Sequence, residues 1–130
     1  MSEEQTLRGY MASAKRTLAT ARKTLVEGDD FVTVINRSYY AIFYAANGLL
    51  QTEKLQSSKH SGVLALFREH FVKTGKIETE FSKIYGKAFD SRMESDYDVE
   101  EWPDKALAEQ ILTGAEKFVA RVEQELSSQT

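Results

Sequence analysis

Apolar residues recur at intervals of three and four along almost the whole chain, and no stretch alternates at a period of two, so the pattern is helical throughout. Leu7, Met11, Ala14, Leu18, Ala21 and Leu25 form the first seam, and Gly28 ends it. Asp29 and Asp30 are good N-caps for a second helix, because a carboxylate accepts the unpaired N–H groups of a first turn. That helix, Phe31 to Leu55, carries Val32, Ile35, Tyr39, Ile42, Ala46 and Leu49 in one heptad-spaced stripe, with Phe43 and Leu50 extending apolar character to another face. A helix apolar on several sides must be surrounded, so the chain is expected to pack around this one, with the first helix as its antiparallel neighbour.

Beyond Leu55 the polar run Gln56-Ser57-Ser58-Lys59-His60 breaks the pattern. Ser57 or Ser58 is expected to cap a third helix bearing Val63, Leu64, Leu66, Phe67, His70 and Phe71, with Lys73-Thr74-Gly75 as its basic last turn and terminator. A fourth begins near Ile77, with Phe81, Ile84, Tyr85, Ala88 and Phe89 on one side and Arg92 continuing the stripe. The acidic stretch from Glu94 to Glu101 reads as the longest loop, and Pro103 fits the first turn of a last helix that buries Leu107, Ile111, Gly114, Phe118 and Val122 or Leu126. The expected fold is all-α, an up-and-down bundle of about five helices in a single domain over residues 1–130, with its core about 7–126.

Composition narrows the function classes. A net charge of -3, from 17 basic and 20 acidic residues, argues against a nonspecific nucleic-acid coat while leaving room for a local basic patch. With no cysteine, thiol chemistry, a cysteine-ligated zinc site and disulfides are excluded. His60 and His70, ten residues apart with no acid at ligand spacing, make no metal site, and the chain calls for no cofactor. No apolar run is long enough to span a membrane, and Met1-Ser2-Glu3-Glu4 lacks the basic-then-apolar order of a signal peptide, so a cytoplasmic protein is expected.

The candidate chemistry gathers on two helices. Arg37 is the only charge between Phe31 and Leu50, and helical spacing aligns its guanidinium with the phenols of Tyr40 and Tyr44. Arg92 likewise continues an apolar stripe. An isolated guanidinium there carries a desolvation cost of several kcal/mol, so each arginine needs an anion, a phenol or an open cleft. The expectation is that Arg37 and Arg92 converge at one end of the bundle, beside Tyr44, Asp96 and Tyr97. A structural reading competes for each residue: Arg37 as a core arginine paired with an acid, the tyrosines as core aromatics, and Arg92 in a helix-end ion pair with Asp96, one turn on. His60, beside Lys59 at a helix start, is expected to stay neutral near the positive dipole end and to cap or pack, with proton transfer as the alternative.

Four blocks in order, Arg37-Ser-Tyr-Tyr-Ala-Ile-Phe-Tyr-Ala-Ala, Lys59-His60-Ser-Gly-Val, Phe71-Val-Lys-Thr-Gly and Arg92-Met-Glu-Ser-Asp-Tyr97, resemble the HEPN domain family from about Leu7 to Leu126. The resemblance implies a helical bundle that forms a homodimer and is often encoded beside a minimal nucleotidyltransferase in a toxin–antitoxin-like pair. Some members of that family are metal-independent ribonucleases, marked by an Arg followed after four to six residues by His. Here Arg92 is followed after four residues by Tyr97 and Arg37 after six by Tyr44, so neither motif ends in imidazole. Tyrosine, with an ordinary pKa near ~10, is a poor proton shuttle at neutral pH. Two readings stand. One is a non-enzymatic module that binds nucleotide, RNA or a nucleotidyltransferase partner, with Arg37, Tyr40, Tyr44, Lys59, His60, Arg92, Asp96 and Tyr97 as ligand-binding candidates. The other is a ribonuclease that uses Arg37, Arg92 and an unusual acid–base group such as His60.

Overall fold

A computed structural model of the chain describes the backbone of residues 2–97 and 102–129 and the side chains of residues 2–92 and 102–129. Among the described residues there are five α-helices, one π-helical turn and no strand: α1 (Glu3–Glu27), α2 (Phe31–Thr52), α3 (His60–Phe67) running into the π turn (Arg68–Val72), α4 (Thr79–Tyr97) and α5 (Lys105–Ser128). The fold is an all-α bundle, as the periodicity implies.

Local chemistry sets the helix ends. Ser2 and Gln5 form a capping box at α1: the Ser2 hydroxyl accepts the Gln5 N–H at 3.1 Å, and Gln5 Oε1 accepts the Ser2 N–H at 2.9 Å. Gly28, at φ 126°, takes a backbone conformation that side chains disfavour and stops the helix. Asp30 accepts the Thr33 N–H at 3.1 Å and so starts α2, and Asp104 does the same for α5 through Leu107 at 2.9 Å.

Helix α2 touches α1, α3, α4 and α5. Its interior face is built from Val34, Ile35, Tyr39, Ile42, Leu49 and Leu50, with Ala41, Ala45, Ala46 and Gly48 between them, all buried. The small residues let neighbouring helices come close. A Cβ on Gly48 would stand 3.3 Å from both Leu7 and Met11 of α1. Gln51 at the far end of α2 donates to the Glu3 carbonyl at 2.8 Å, which fixes the antiparallel register with α1. Ion pairs Lys15–Glu123 and Arg22–Glu116 set α5 antiparallel to α1, and Lys117–Glu80 with Arg121–Glu78 set it antiparallel to α4. Exposed pairs of this kind contribute at most about 1 kcal/mol each, so they tune register while the core supplies the stability. Phe67, Phe81, Tyr85 and Phe118 interlock at the junction of α3, α4 and α5, with ring centroids 5.2 to 6.2 Å apart around Phe118.

Several boundaries differ from expectation, each for a local reason. The second helix stops at Thr52 rather than Leu55, because Lys54 adopts φ 58° and the Leu55 N–H turns back to the Leu50 carbonyl at 2.9 Å. Neither Ser57 nor Ser58 caps α3. Lys59 occupies the cap position without a side-chain bond, while the Ser57 hydroxyl accepts the Lys59 N–H at 3.2 Å. The third segment widens into a π turn at Arg68, where the Lys73 N–H reaches the Arg68 carbonyl at 2.8 Å. The fourth helix begins at Thr79 and runs to Tyr97, so the first half of the expected Glu94–Glu101 loop is helical, and residues 98–101 lie outside the described residues. Pro103 precedes the Asp104 cap instead of entering the last helix.

The core makes a stability prediction. Phe118 is 1% exposed and touches three aromatic rings, so Phe118→Ala should lower the unfolding free energy by about 3–5 kcal/mol. Trp102, 65% exposed, should change it by less than about 0.5 kcal/mol when replaced by Ala. Urea denaturation of the two variants beside the wild type checks the contrast.

Candidate functional site

Tyr39 is the hinge of the candidate site. It sits mid-way along α2 with its ring fully buried, because the stripe that carries it faces α4. Its hydroxyl lies 2.8 Å from Nδ1 of His60, the first residue of α3. The turn before α3 makes this contact reachable. At Gly62 a Cβ would lie 2.0 Å from the Ser57 hydroxyl, so the chain folds tightly over a glycine there and swings His60 back against α2. The imidazole then stacks on Phe43, centroids 4.3 Å apart at 14°, with the Tyr40 ring edge-on at 5.6 Å.

Both arginines arrive at the same aromatic group. The Arg37 guanidinium lies 5.1 Å from the Tyr40 ring centroid, and the Arg92 guanidinium, from α4, lies 5.8 Å from that ring and 4.9 Å from Tyr39. Each contact is a cation–π interaction, of order 0.5 to 2 kcal/mol depending on how dry it is. Arg37 is also held by its neighbour, with Nη2 and Nε donating to Asn36 Oδ1 at 2.8 and 3.2 Å. That arrangement replaces the acid partner a core arginine would need.

The electrostatics follow from this packing. Burial, opposed by the nearby Arg92, pushes the Tyr39 phenol up to about 12, so it keeps its proton at any physiological pH. His60 is pushed below its ordinary 6.5, first by burial and then by the positive charge of Arg92. The expected neutrality is therefore explained by packing and a neighbouring cation more than by the helix dipole. The contact fits either neutral tautomer: with the phenol donating to Nδ1 the imidazole carries its hydrogen on Nε2, and with Nδ1–H donating to the phenol oxygen Nε2 keeps its lone pair.

Of the residues proposed from sequence, Arg37, Tyr40, His60 and Arg92 come together, and Tyr44 adjoins them through Tyr40 at 6.2 Å. Lys59 does not join them: it is exposed at the α3 cap. The side chains of Asp96 and Tyr97 lie outside the described residues, as does the ion pair expected between Arg92 and Asp96. Arg92 itself is five residues from the end of α4 rather than at its terminus. The surface around the arginines is aromatic more than polar. Tyr39 and Phe43, read from sequence as core, prove to be the partners that orient His60; a phenol on the α2 stripe near a helix-starting histidine was the only available signal. Among the described residues, no group of three or more His, Cys, Asp or Glu could hold a metal ion, and no helix is long and apolar enough to cross a membrane.

The central helix of this all-helical bundle sets Arg37 and the Tyr39 and Tyr40 phenols beside His60 and Arg92, the arrangement of a small helical domain with a cationic, aromatic side-chain cluster. The HEPN domain model matches residues 7–125, and the chain belongs to the HEPN family. A UPF0332 protein of Thermotoga maritima is 36% identical, over 92% of this chain and 96% of the relative. A protein of Methanocaldococcus jannaschii bearing the name "Putative toxin MJ0605" is 37% identical over 82% of this chain and 79% of the relative. A second from that organism, "Putative toxin MJ0142", is 31% identical over 83% and 74%.

The Arg92–His60 coupling is testable by titration. Replacing Arg92 by Gln removes the charge and leaves the burial, so the His60 midpoint should rise yet stay below 6.5. Because the folded midpoint lies below the unfolded one, the unfolded chain binds the proton first. The neutral ring's contribution to stability is thus complete above pH 6.5 and is lost as pH falls from there toward the folded midpoint. Imidazole NMR shifts followed against pH, in wild type and Arg92→Gln, measure both quantities.

Proposed function

We propose that this protein is the helical member of a cytoplasmic toxin–antitoxin-like pair, acting as a homodimeric module that binds RNA or a nucleotide and partners a minimal nucleotidyltransferase. The observation that carries the binding reading is the placement of two guanidiniums from two helices on one tyrosine ring, with the His60 imidazole beside them. Guanidinium forks suit phosphate oxygens, the Tyr40 and Tyr44 rings offer stacking faces, and the neutral imidazole adds a polar group. The toxin names of two relatives, together with the family's resemblance to paired systems, support the wider role.

A metal-independent ribonuclease is the second reading, favoured by one observation: a neutral histidine lies within the field of Arg92. For His60 to take the proton of a 2'-hydroxyl, Nε2 must be free of hydrogen, which is the tautomer in which Nδ1–H donates to the Tyr39 oxygen. Binding stands ahead of cleavage because Tyr97 and Tyr44 occupy the motif positions that end in histidine in the ribonucleases.

Arg37→Ala and Arg92→Ala should each weaken RNA or nucleotide binding and reduce its salt dependence, with smaller effects on melting temperature. Affinity and thermal stability are measured side by side. Unchanged affinity with a lowered melting temperature in both variants would leave the arginines as structural braces and overturn the binding reading. Incubation with total RNA in chelator separates the two readings: cleavage that disappears in His60→Ala establishes the ribonuclease. Sedimentation giving only monomer at micromolar concentration removes the homodimer.

A further inference from the structure

Most cations on the α1, α4 and α5 surfaces that face one another are neutralised, as in Lys15–Glu123, Arg22–Glu116, Lys117–Glu80 and Arg121–Glu78. A different arrangement lines the groove of about 510 Å³ between the π turn and α4, formed by Arg68, Lys83, Gly86, Lys87, Asp90 and Ser91. Among the described residues Arg68 makes hydrogen bonds but no ion pair there: Nε donates to the Ser82 hydroxyl at 2.9 Å and Nη2 to the Ser82 carbonyl at 3.3 Å. These bonds use one edge of the guanidinium and leave the terminal edge, with Nη1, directed away from Ser82. The group can lie this close only because position 86 is glycine, where a Cβ would stand 2.5 Å from Nη2. Lys83 and Lys87, exposed one turn apart on α4, about 6 Å along the axis, complete a row of three cations against the single carboxylate of Asp90.

We propose that this groove binds successive phosphates of a single polynucleotide strand. A guanidinium whose rotation is already fixed by Ser82 loses little entropy on gripping a phosphate, and two lysines at helical spacing act as point charges for the phosphates that follow. The cations gather locally on a chain whose net charge is -3, so the attraction belongs to this groove and not to the protein as a whole. The groove lies on the outer side of α4 and reaches Asp90 and Ser91, while the next residue, Arg92, faces Tyr39 on the inner side. A strand that engages both must pass around α4 and therefore be longer than a nucleotide or dinucleotide. The inference rests on the binding reading of the Arg37–Arg92 cluster and specifies its ligand as a polynucleotide.

The test compares a dinucleotide with a longer single-stranded RNA by fluorescence anisotropy across a salt series, using wild type, the double variant Lys83→Ala/Lys87→Ala, and Arg68→Lys. Among the described residues neither lysine has an ion-pair partner, so melting temperatures should match in wild type and double variant. The expected result is a several-fold loss of affinity for the long RNA in the double variant, a salt slope reduced by about 1 per lysine, and unchanged dinucleotide binding. Arg68→Lys keeps the charge but loses the fork, and should show a smaller loss with nearly the same slope. If wild type binds the long RNA and the double variant matches it in affinity and slope, the groove proposal is overturned while the cluster reading stands. Competition by polyglutamate as effective as by RNA would assign the groove to acidic polypeptide and overturn it too. Wild type that binds neither RNA overturns both.

Discussion

The close approach of four neighbours to α2 is the constraint on which the rest of the bundle depends. Ridge-and-groove packing normally holds helix axes about 8–10 Å apart, and the side chains at the contact decide where in that range they fall. Ala41, Ala45, Ala46 and Gly48 are all buried and keep the α2 surface low, with Leu7 and Met11 of α1 close against Gly48. Large side chains then fill the wider gaps toward α4, where Tyr39 meets Tyr85 and Phe89. A helix surrounded in this way has little perimeter left. Its polar chemistry is confined to the rim, where Arg37, Tyr40 and Tyr44 are half-buried.

That confinement explains why the site is aromatic. An arginine on such a rim loses part of its hydration, and a desolvated ion costs several kcal/mol unless something replaces the water. The rings replace it. Tyr40 presents its face within reach of both guanidiniums, Asn36 supplies an oxygen to Arg37, and Arg92 also covers Tyr39. Cation–π attraction recovers part of the loss and keeps the two arginines compatible with the core. The depressed His60 and the elevated Tyr39 are consequences of that same packing. Burial acts on both, and the positive charge of Arg92 favours the neutral imidazole while opposing the shift of the phenol.

How much of this was legible in the sequence depended on whether a feature is local. The helices were readable because apolar spacing reports a buried face directly, and Asp30 was readable because a cap acts within four residues. The convergence of Arg37 and Arg92 was legible for an energetic reason, since a charge on an apolar stripe must find compensation. The bond between Tyr39 and His60, 21 residues apart, was not: periodicity says which side of a helix is buried, but not which ring meets which across a turn. Lys59 was drawn into the site by adjacency to His60, yet neighbouring positions on a helix point in different directions, and it stays outside. The π turn and the close approach of Ser57 to Gly62 are not legible in the sequence because both are defined by contacts that exist only after folding.

The two cationic regions of the protein are tied together by α4 and by the aromatic core beneath it. Phe67, just before the π turn, and Phe71, within it, are both buried and stacked 6.3 Å apart, so the wide turn is clamped from below. Arg68 sits at that point, and its position over Gly86 is therefore set by the same ring cluster that packs Tyr85 against Phe118. One helical turn beyond Tyr85, Ala88 keeps α4 close to its neighbours, and Arg92 emerges on the same inner face to meet Tyr39. Residues 85, 88 and 92 thus define an inner stripe, while 83, 87 and 90 define an outer one. A rotation of α4 that seated its core residues differently would carry Arg92 away from the phenols and Lys83 and Lys87 away from Arg68 at once. The charge distribution of both faces is consequently a property of core packing, and cannot be altered on one face by repacking without disturbing the other.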